Sequence, residues 1–524
     1  MLQFDSMHWA DVIAARLLTK GKRHLISTGI SPSGFIHVGS LREAVTAEAV
    51  RKATVKAGAD AKLIYLVDSF DPLRRRYAFL PESYEKEVGR PLFSIPCPCG
   101  EHANYAHHFI QPFLDAIAEM GVRPRVYWTH ELYSTGMLAD AIDTVIRNRD
   151  RVAVILREVT GREVPDDFFP YTPRCSSCGR FSDVAVTGYE FPYVSYACNC
   201  GHSGKADVRK DGGKLPWRIE WAAKWKILGV TCEPFGKDHA AAGGSYDTGV
   251  RFAKEIFDIE PPYPIPYEFI QLKGKGQMHK SSGSVVTGVD ALKITPAPVL
   301  NFTVLRYNPD RHIDYDPGLG VLDAVDEYDR IENMYYDGGA GEKEEDLLRA
   351  YELSQPNGPR EAMPLQIPYR HLVSVVQCTD TFEGVLEVLR RTERVESLSP
   401  EDLGLLRQRV DCVRYWLRQF APEQVKFCIA MELPTCDLSE GELRFLRRVH
   451  ARLSEVEWIG DRIHDAVYEC AKATELGPKA GFQVMYTIFI DKKQGPRLGY
   501  FLSTLDRTFV LGRIEEALRR ACPR

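Results

Sequence analysis

An apolar run closed by glycine, RHLISTG at residues 23–29, gives way to a long run of helix formers, LREAVTAEAVRKATVK at residues 41–56. A second apolar run follows, AKLIYLV at 61–67, and ends on Asp68. The alternation returns with RVYWT at 125–129, residues 231–236, a helix-forming stretch at 245–258, and residues 264–272. Strands that are separated by helices do not pair as hairpins; each helix carries the chain back to the starting edge, and the strands run parallel. The pattern therefore predicts an α/β fold with a doubly wound parallel sheet. Ligands of such sheets bind beyond the carboxyl ends of the strands, and Gly29, Asp68 and Gly236 fall there.

Residues 92–215 interrupt the alternation with three tight cysteine pairs and a turn-rich stretch at 205–214. They read as an insertion, although they also hold the strand at 125–129 and a helix expected over 137–160. After about Thr287 helical periodicity dominates, with helices expected at 320–334, 343–353, 381–391, 401–420, 440–456 and 458–474. Pro356, Pro359, Pro364, Pro368, Pro400, Pro422 and Pro434 mark their boundaries. The chain of 524 residues is thus read as a Rossmann-type domain at 1–286, a connecting segment at 287–340 and an all-helical region at 341–524.

A net charge of −5 excludes a uniformly basic nucleic-acid binder but leaves room for a local basic face. No window approaches the roughly 18 unbroken apolar residues of a membrane span. Residues 1–9 lack the basic run and apolar core of a secretory signal. No membrane partner and a cytoplasmic location are expected. Oligomeric state is not set by these features, and a monomer is the working expectation.

The stretch SPSGFIHVGS at 31–40 follows the first strand and opens a helix. Pro32 and Gly34 are expected to make a tight, exposed turn, and Gly39, without a Cβ, to let the backbone approach a ligand. A helix N-terminus presents free N–H groups to an anion, and His37 beside it can donate to a phosphate. The plainer alternative is a strand–turn–helix with Ser40 as a helix cap. The pattern Pro-x-Gly-x-x-His-x-Gly resembles the HIGH signature of class I aminoacyl-tRNA synthetases, with Ser40 in place of the second histidine. Farther on, LKGKGQMHKSSG at 272–283 is rich in glycine and carries Lys273, Lys275 and Lys280. A mobile basic loop can close over a triphosphate. Within it, Met278, Lys280 and Ser281 match the second class I signature, KMSKS, while Gln277 and His279 depart from it. The resemblance implies an ATP site of Pro32, Gly34, His37, Gly39, Met278 and Lys280, with Mg2+ shielding the triphosphate. It implies a catalytic set of His37, Gly39, Ser40, Lys280 and Ser281.

Further stretches resemble the archaeal-type class I lysyl-tRNA synthetases: TGISPSGFIHVGS at 28–40, DSFDPLRR at 68–75, KLPWRIEW at 214–221, EPFGKDH at 233–239, DYDPGLGVLDAVDEYDRI at 314–331 and GPRLGYFLST at 495–504. The implied activity is ATP-dependent ligation of L-lysine to tRNA(Lys), through lysyl-adenylate and the 2′-OH of the terminal adenosine. Trp217 would cover the lysine stem and hold its cation, with His239 as a second contact. Gly29 and Ser31 would meet the amino-acid end, and Asp68 or Asp238 could pair with either ammonium. Core packing for Trp217 and a loop role for His239 are the alternatives. The run Arg74–Arg76 is either a solvated face or a phosphate contact. The helical region would read the anticodon. Rival readings are a glutamyl-type enzyme, a catalytically altered paralogue that regulates by binding tRNA or lysine, and an enzyme that passes lysine to another acceptor.

Of the 13 cysteines, Cys175, Cys178, Cys198 and Cys200 form two turn-borne pairs that can close one tetrahedral structural Zn2+ site. His202 is an alternative to Cys200. Cys97, Cys99, His102 and His108 are weaker metal candidates. There the lysyl family has a comparable insertion, with an acidic residue at the position of Cys97 and a cysteine at that of Glu101. The isolated cysteines read as small buried apolar residues.

Overall fold

The computed structural model describes residues 7–274, 286–339, 341, 344–393, 395, 397–474 and 476–520. The chain divides into two compact units: Met1–Leu292, Ala297–Tyr315 and Asp337–Pro359 in one, Lys293–Pro296, Asp316–Tyr336 and Arg360–Arg524 in the other.

The first unit begins with α1 (Trp9–Leu18), β1 (Arg23–Ile30), α2 (Leu41–Lys56) and β2 (Asp60–Val67). No glycine or proline interrupts α2, and Ala44, Val45, Ala47, Ala49, Val50 and Ala53 are all buried. A helix apolar on more than one face belongs inside the fold. Then come α3 (Tyr105–Glu119), β3 (Arg125–Trp128), α4 (Thr129–Ser134), α5 (Ala139–Arg147) and α6 (Arg149–Thr160). The single helix expected over 137–160 is therefore broken. The break is at Asn148, whose φ of −100° and ψ of 21° leave the helical region. Its side-chain amide donates to the Thr144 carbonyl at 2.8 Å, the local bond by which asparagine competes with helix continuation.

The inserted segment adds short antiparallel pieces. β4 (Thr172–Pro173) pairs with β8 (Gly213–Lys214), and β5 (Val184–Glu190), β6 (Tyr193–Cys198) and β7 (Ser203–Asp207) form a three-stranded sheet. The main pattern resumes with α7 (Trp217–Leu228), β9 (Cys232–Gly236), α8 (Ser245–Glu255) and β10 (Tyr263–Tyr267). The central sheet has five strands in the order β10-β9-β1-β2-β3, and every neighbouring pair is parallel. The order reverses between β1 and β9, which opens a crevice at their carboxyl ends. Residues 264–272 do not form one strand. After β10 the chain is diverted when the Glu268 amide donates to the Pro309 carbonyl at 2.8 Å. β11 (Ile270–Leu272) then pairs with β12 (Ile313–Tyr315), away from the central sheet.

Beyond β11 lie α9 (Gly288–Ile294), α10 (Ala297–Leu305), α11 (Gly320–Asp337) and α12 (Glu345–Ser354). α12 belongs to the first unit, where Lys52 Nζ donates to the carbonyls of Leu353 (3.1 Å) and Gln355 (2.7 Å). The second unit continues with α13 (Tyr369–Cys378), α14 (Phe382–Thr392), α15 (Pro400–Gln419), α16 (Glu440–Leu453), α17 (Gly460–Lys472), α18 (Pro478–Ile490), α19 (Leu498–Thr504) and α20 (Arg507–Arg520). Among its described residues no strand occurs. Its helix starts are written in the sequence: Ser399 caps α15 ahead of Pro400, and Ser439 with Glu442 forms a capping box on α16. Among the described residues no helix is long and apolar enough to cross a membrane.

Candidate active site

A cavity of about 380 Å3 opens at the carboxyl ends of β1, β2 and β9. Gly29, His37, Gly39, Ser40, Asp68, Trp217, Asp238 and His239 line it; Ser31, Pro32 and Gly34 do not. The turn expected to be exposed is buried at Pro32 and Gly34. The cause is Phe79, whose Cζ would lie 3.0 Å from a Cβ at position 34. Gln277, Met278, His279, Lys280 and Ser281 lie outside the described residues.

The glycines serve packing first. A Cβ at Gly29 would stand 2.3 Å from the Leu66 carbonyl oxygen of the neighbouring strand, and one at Gly39 would stand 2.7 Å from His37 Nδ1. The room that Gly39 leaves is thus filled by the imidazole of its own motif. Ser40 occupies the N-cap of α2 but makes no capping hydrogen bond there, so the helix-cap alternative for this serine is set aside.

Two carboxylates that sequence reasoning did not single out line the same cavity, Glu43 from α2 and Glu233 from β9. Glu43 accepts from the Gly29 amide at 2.7 Å, the Tyr267 hydroxyl at 2.9 Å and the Thr28 hydroxyl. Burial pushes its carboxyl up to about 8, against the pull of the Gly29 and Tyr267 donors, and the charges of Glu233 and Asp68 push the same way as burial. Glu233 accepts from the indole N–H groups of Trp221 (3.0 Å) and Trp225 (2.5 Å), and burial pushes it up to about 7. No cationic side chain among the described residues forms an ion pair with either carboxylate.

Asp68 differs. Its Oδ1 accepts from Lys224 Nζ at 2.5 Å and from Thr129 Oγ1 at 2.9 Å. Lys224 also lies 3.1 Å from Glu220, and Glu220 lies 3.5 Å from Lys214, which pairs with Asp71 at 2.5 Å. Asp68 lines the cavity as expected, and an internal lysine partners its Oδ1. The chain of buried ions stiffens the wall formed by α7, and the cation-seeking groups of the cavity are Glu43 and Glu233.

The other wall is aromatic. The Trp217 ring stacks on Trp221 at 5.3 Å and 26°, and lies 5.3 Å from the His239 ring. Burial lowers the His239 pKa, which favours the neutral imidazole. Asp238 is exposed at the mouth beside Gly236.

Both cysteine clusters assemble. The ligand atoms of Cys175, Cys178, Cys198 and Cys200 lie within 4.8 Å of one another, as do those of Cys97, Cys99, His102 and His108. The closest pairs include Cys99 to His108 Nδ1 at 3.2 Å and Cys178 to Cys198 at 3.9 Å. Tetrahedral zinc with thiolate ligands needs sulfurs about 3.8 Å apart, so both donor sets fit a tetrahedral ion. Gly100, Gly179 and Gly201 follow Cys99, Cys178 and Cys200 with φ of 78°, 75° and 88°, the left-handed turn that brings each pair of ligands together. His202 stands outside the cluster, 2.9 Å from Ser176 Oγ.

The sequence profile of the family described as tRNA synthetases class I (K) matches residues 7–357. The chain belongs to this family. It is 45% identical over 514 residues to a lysine--tRNA ligase of Archaeoglobus fulgidus, covering 98% of this chain and 100% of that one. It is 42% identical to a lysine--tRNA ligase of Thermoplasma acidophilum, covering 98% and 99%. A crystal structure of a glutamate tRNA ligase from Elizabethkingia meningosepticum is similar only remotely, at TM-score 0.44 and 11% identity over 94% of this chain and 99% of that one. In this class I synthetase the family match spans the sheet, the cavity and both cysteine clusters. The pocket carboxylates Glu43 and Glu233 were missed because each reads alone as an ordinary helix or strand charge. The one hint is that both stand in stretches otherwise buried on every side.

Proposed function

We propose that this synthetase activates L-lysine with ATP and transfers it to tRNA(Lys). The observation that carries the reading is that half-buried Glu43 and buried Glu233, in a tryptophan-walled cavity, have no ion-pair partner among the described residues. A substrate with an aliphatic stem and two ammonium groups suits such a cavity. A glutamate side chain would lack a partner there, because Lys224, the lysine in the described lining, is already paired with Asp68 and Glu220, and this disfavours the glutamyl reading. Glu43, held by the Gly29 amide, takes one ammonium, Trp217 and His239 flank the stem, and Asp238 at the mouth is available to the other end. Ser31, one residue beyond β1, orients the carboxylate from the rim.

ATP lies along the 31–40 turn toward the N-terminus of α2, with His37, Gly39 and Ser40 against its phosphates and Pro32 and Gly34 shaping the turn behind them. Met278, Lys280 and Ser281 act on the same nucleotide. Mg2+, when bound, screens the triphosphate charge. A lysine carboxylate oxygen attacks the α-phosphorus as the bond to pyrophosphate breaks, with His37 and Lys280 stabilising the charge that develops. The 2′-oxygen of the terminal adenosine then attacks the adenylate carbonyl carbon, AMP leaves, and the hydroxyl proton departs. Catalysis here is positioning and electrostatics. Both metal clusters take structural zinc and staple an insertion that has little core of its own. The helical second unit reads the anticodon.

Pyrophosphate exchange with each of the twenty amino acids, with and without tRNA, tests the reading. Exchange confined to lysine is expected. Exchange with glutamate would overturn the pocket assignment, and no exchange with any amino acid, even with tRNA, would turn the reading toward a binding protein.

A further inference from the structure

Beside the cavity, at the carboxyl end of the edge strand β3, half-buried aromatic rings are stacked in pairs, with Trp128 and Phe93 each resting one side on a hydrophobic core. Trp128 and His107 stack with ring centroids 3.9 Å apart and planes 18° from parallel. His130 and Phe93 stack at 4.4 Å and 4°. The pairs meet where Trp128 and His130 lie edge to face at 6.0 Å. All four side chains are partly exposed. Arg174, itself paired with Asp211 at 2.5 Å, lies over the Phe93 ring at 5.8 Å. Rings that stack only to fill a core are usually enclosed; these keep a share of their surface in water.

Two further facts give the patch a direction. It is tied to the cavity wall: Thr129 donates to Asp68 Oδ1 at 2.9 Å, and His130 Nδ1 lies 2.7 Å from Ser69 Oγ. It is also slung between the two metal-holding turns, since His107 precedes the ligand His108 and Arg174 precedes Cys175. Phe93, His107 and Arg174 thus stand next in sequence to the two donor sets or a few residues before them, around the strand that carries Trp128.

We propose that Trp128, His130, His107 and Phe93 form a platform on which the unpaired 3′ end of tRNA stacks before its last nucleotide turns into the cavity. This rests on the reading of the chain as a tRNA-charging enzyme. In that reaction the terminal ribose must reach the adenylate inside the cavity, so the preceding unpaired bases lie outside it, at the rim. Single-stranded RNA is held by stacking on aromatic rings and arginine planes, whatever the base.

The test measures binding of the full chain to a tRNA it charges with lysine, and to the same tRNA trimmed of its three terminal nucleotides. Trp128→Leu keeps an apolar side chain but cannot stack, and Trp128→Phe can. The wild type should bind intact tRNA about tenfold more tightly than trimmed tRNA. Trp128→Leu should lose that difference without weakening binding of the trimmed form, and Trp128→Phe should keep most of it. An undiminished difference in Trp128→Leu, equal losses in both variants, or no difference in the wild type would overturn the platform while leaving lysine charging intact. A wild type that charges no tRNA would overturn the enzymatic reading itself.

Discussion

Among the described residues Glu43 has no cationic partner, and its contacts are the Gly29 amide and the Thr28 and Tyr267 hydroxyls. Raised to about 8, it holds a proton at neutral pH, and a substrate ammonium must displace that proton to be paired. Glu233, raised to about 7, behaves likewise over a lower range. The sign follows: lysine binding releases protons below about pH 8, so lysine affinity rises with pH between 6 and 8 and levels off above. Calorimetric titration of lysine in buffers of different ionisation enthalpy would read this directly, and binding that releases no proton at pH 7 would rule it out. Replacing Glu43 by glutamine removes the charge and keeps the shape. Breaking a buried ion pair costs about 3–5 kcal/mol, so Glu43→Gln should raise the KM for lysine about a hundredfold or more while that for ATP hardly moves. Comparable increases in both would place Glu43 in support of the fold instead.

The two turns that carry the cysteine and histidine clusters behave as elements. Each cluster offers four ligands, so purified protein should carry two zinc ions, counted by atomic emission. Cys198→Ser should leave one ion and lower the melting temperature by several degrees, because Cys198 ends β6 and faces Cys178 of the other turn at 3.9 Å. An unchanged count would show that Cys198 is no ligand. These turns were legible in the sequence because ligand spacing and the following glycine are local. The strands and α2 were legible for the same reason, since periodicity and breakers act over a few residues. Asn148 was misread because its side chain competes with the helix through one local bond that pattern alone does not weigh. Residues 264–272 were misread because β11 pairs with a strand some forty residues later. Glu43 escaped notice because what makes it special is contact with Tyr267, 224 residues away.

At the scale of the molecule, discontinuous segments close each unit. In the second, the Arg409 guanidinium from α15 grips both carboxylate oxygens of Asp329 on α11, at 2.9 and 2.5 Å, and donates to the Ile367 carbonyl at 3.2 Å. Arg513 on α20 donates to the carbonyls of Ala430, Met431, Glu432 and Ile488. Arg409→Met strands a buried carboxylate and should destabilise this unit by about 3–5 kcal/mol. If the second unit reads the anticodon, tRNA affinity should fall in this variant while lysine binding, measured by calorimetry, stays as in the wild type. A parallel loss of lysine binding would contradict that division of labour. The strand order has a consequence during synthesis. β1 is central, yet its neighbour β9 begins about two hundred residues after β1 ends. At about 5–20 residues per second a ribosome needs roughly 10–40 seconds to cover that distance. For that time β1 presents one bare edge, the kind that invites mispairing, so a nascent chain of this length should call on a chaperone before β9 arrives.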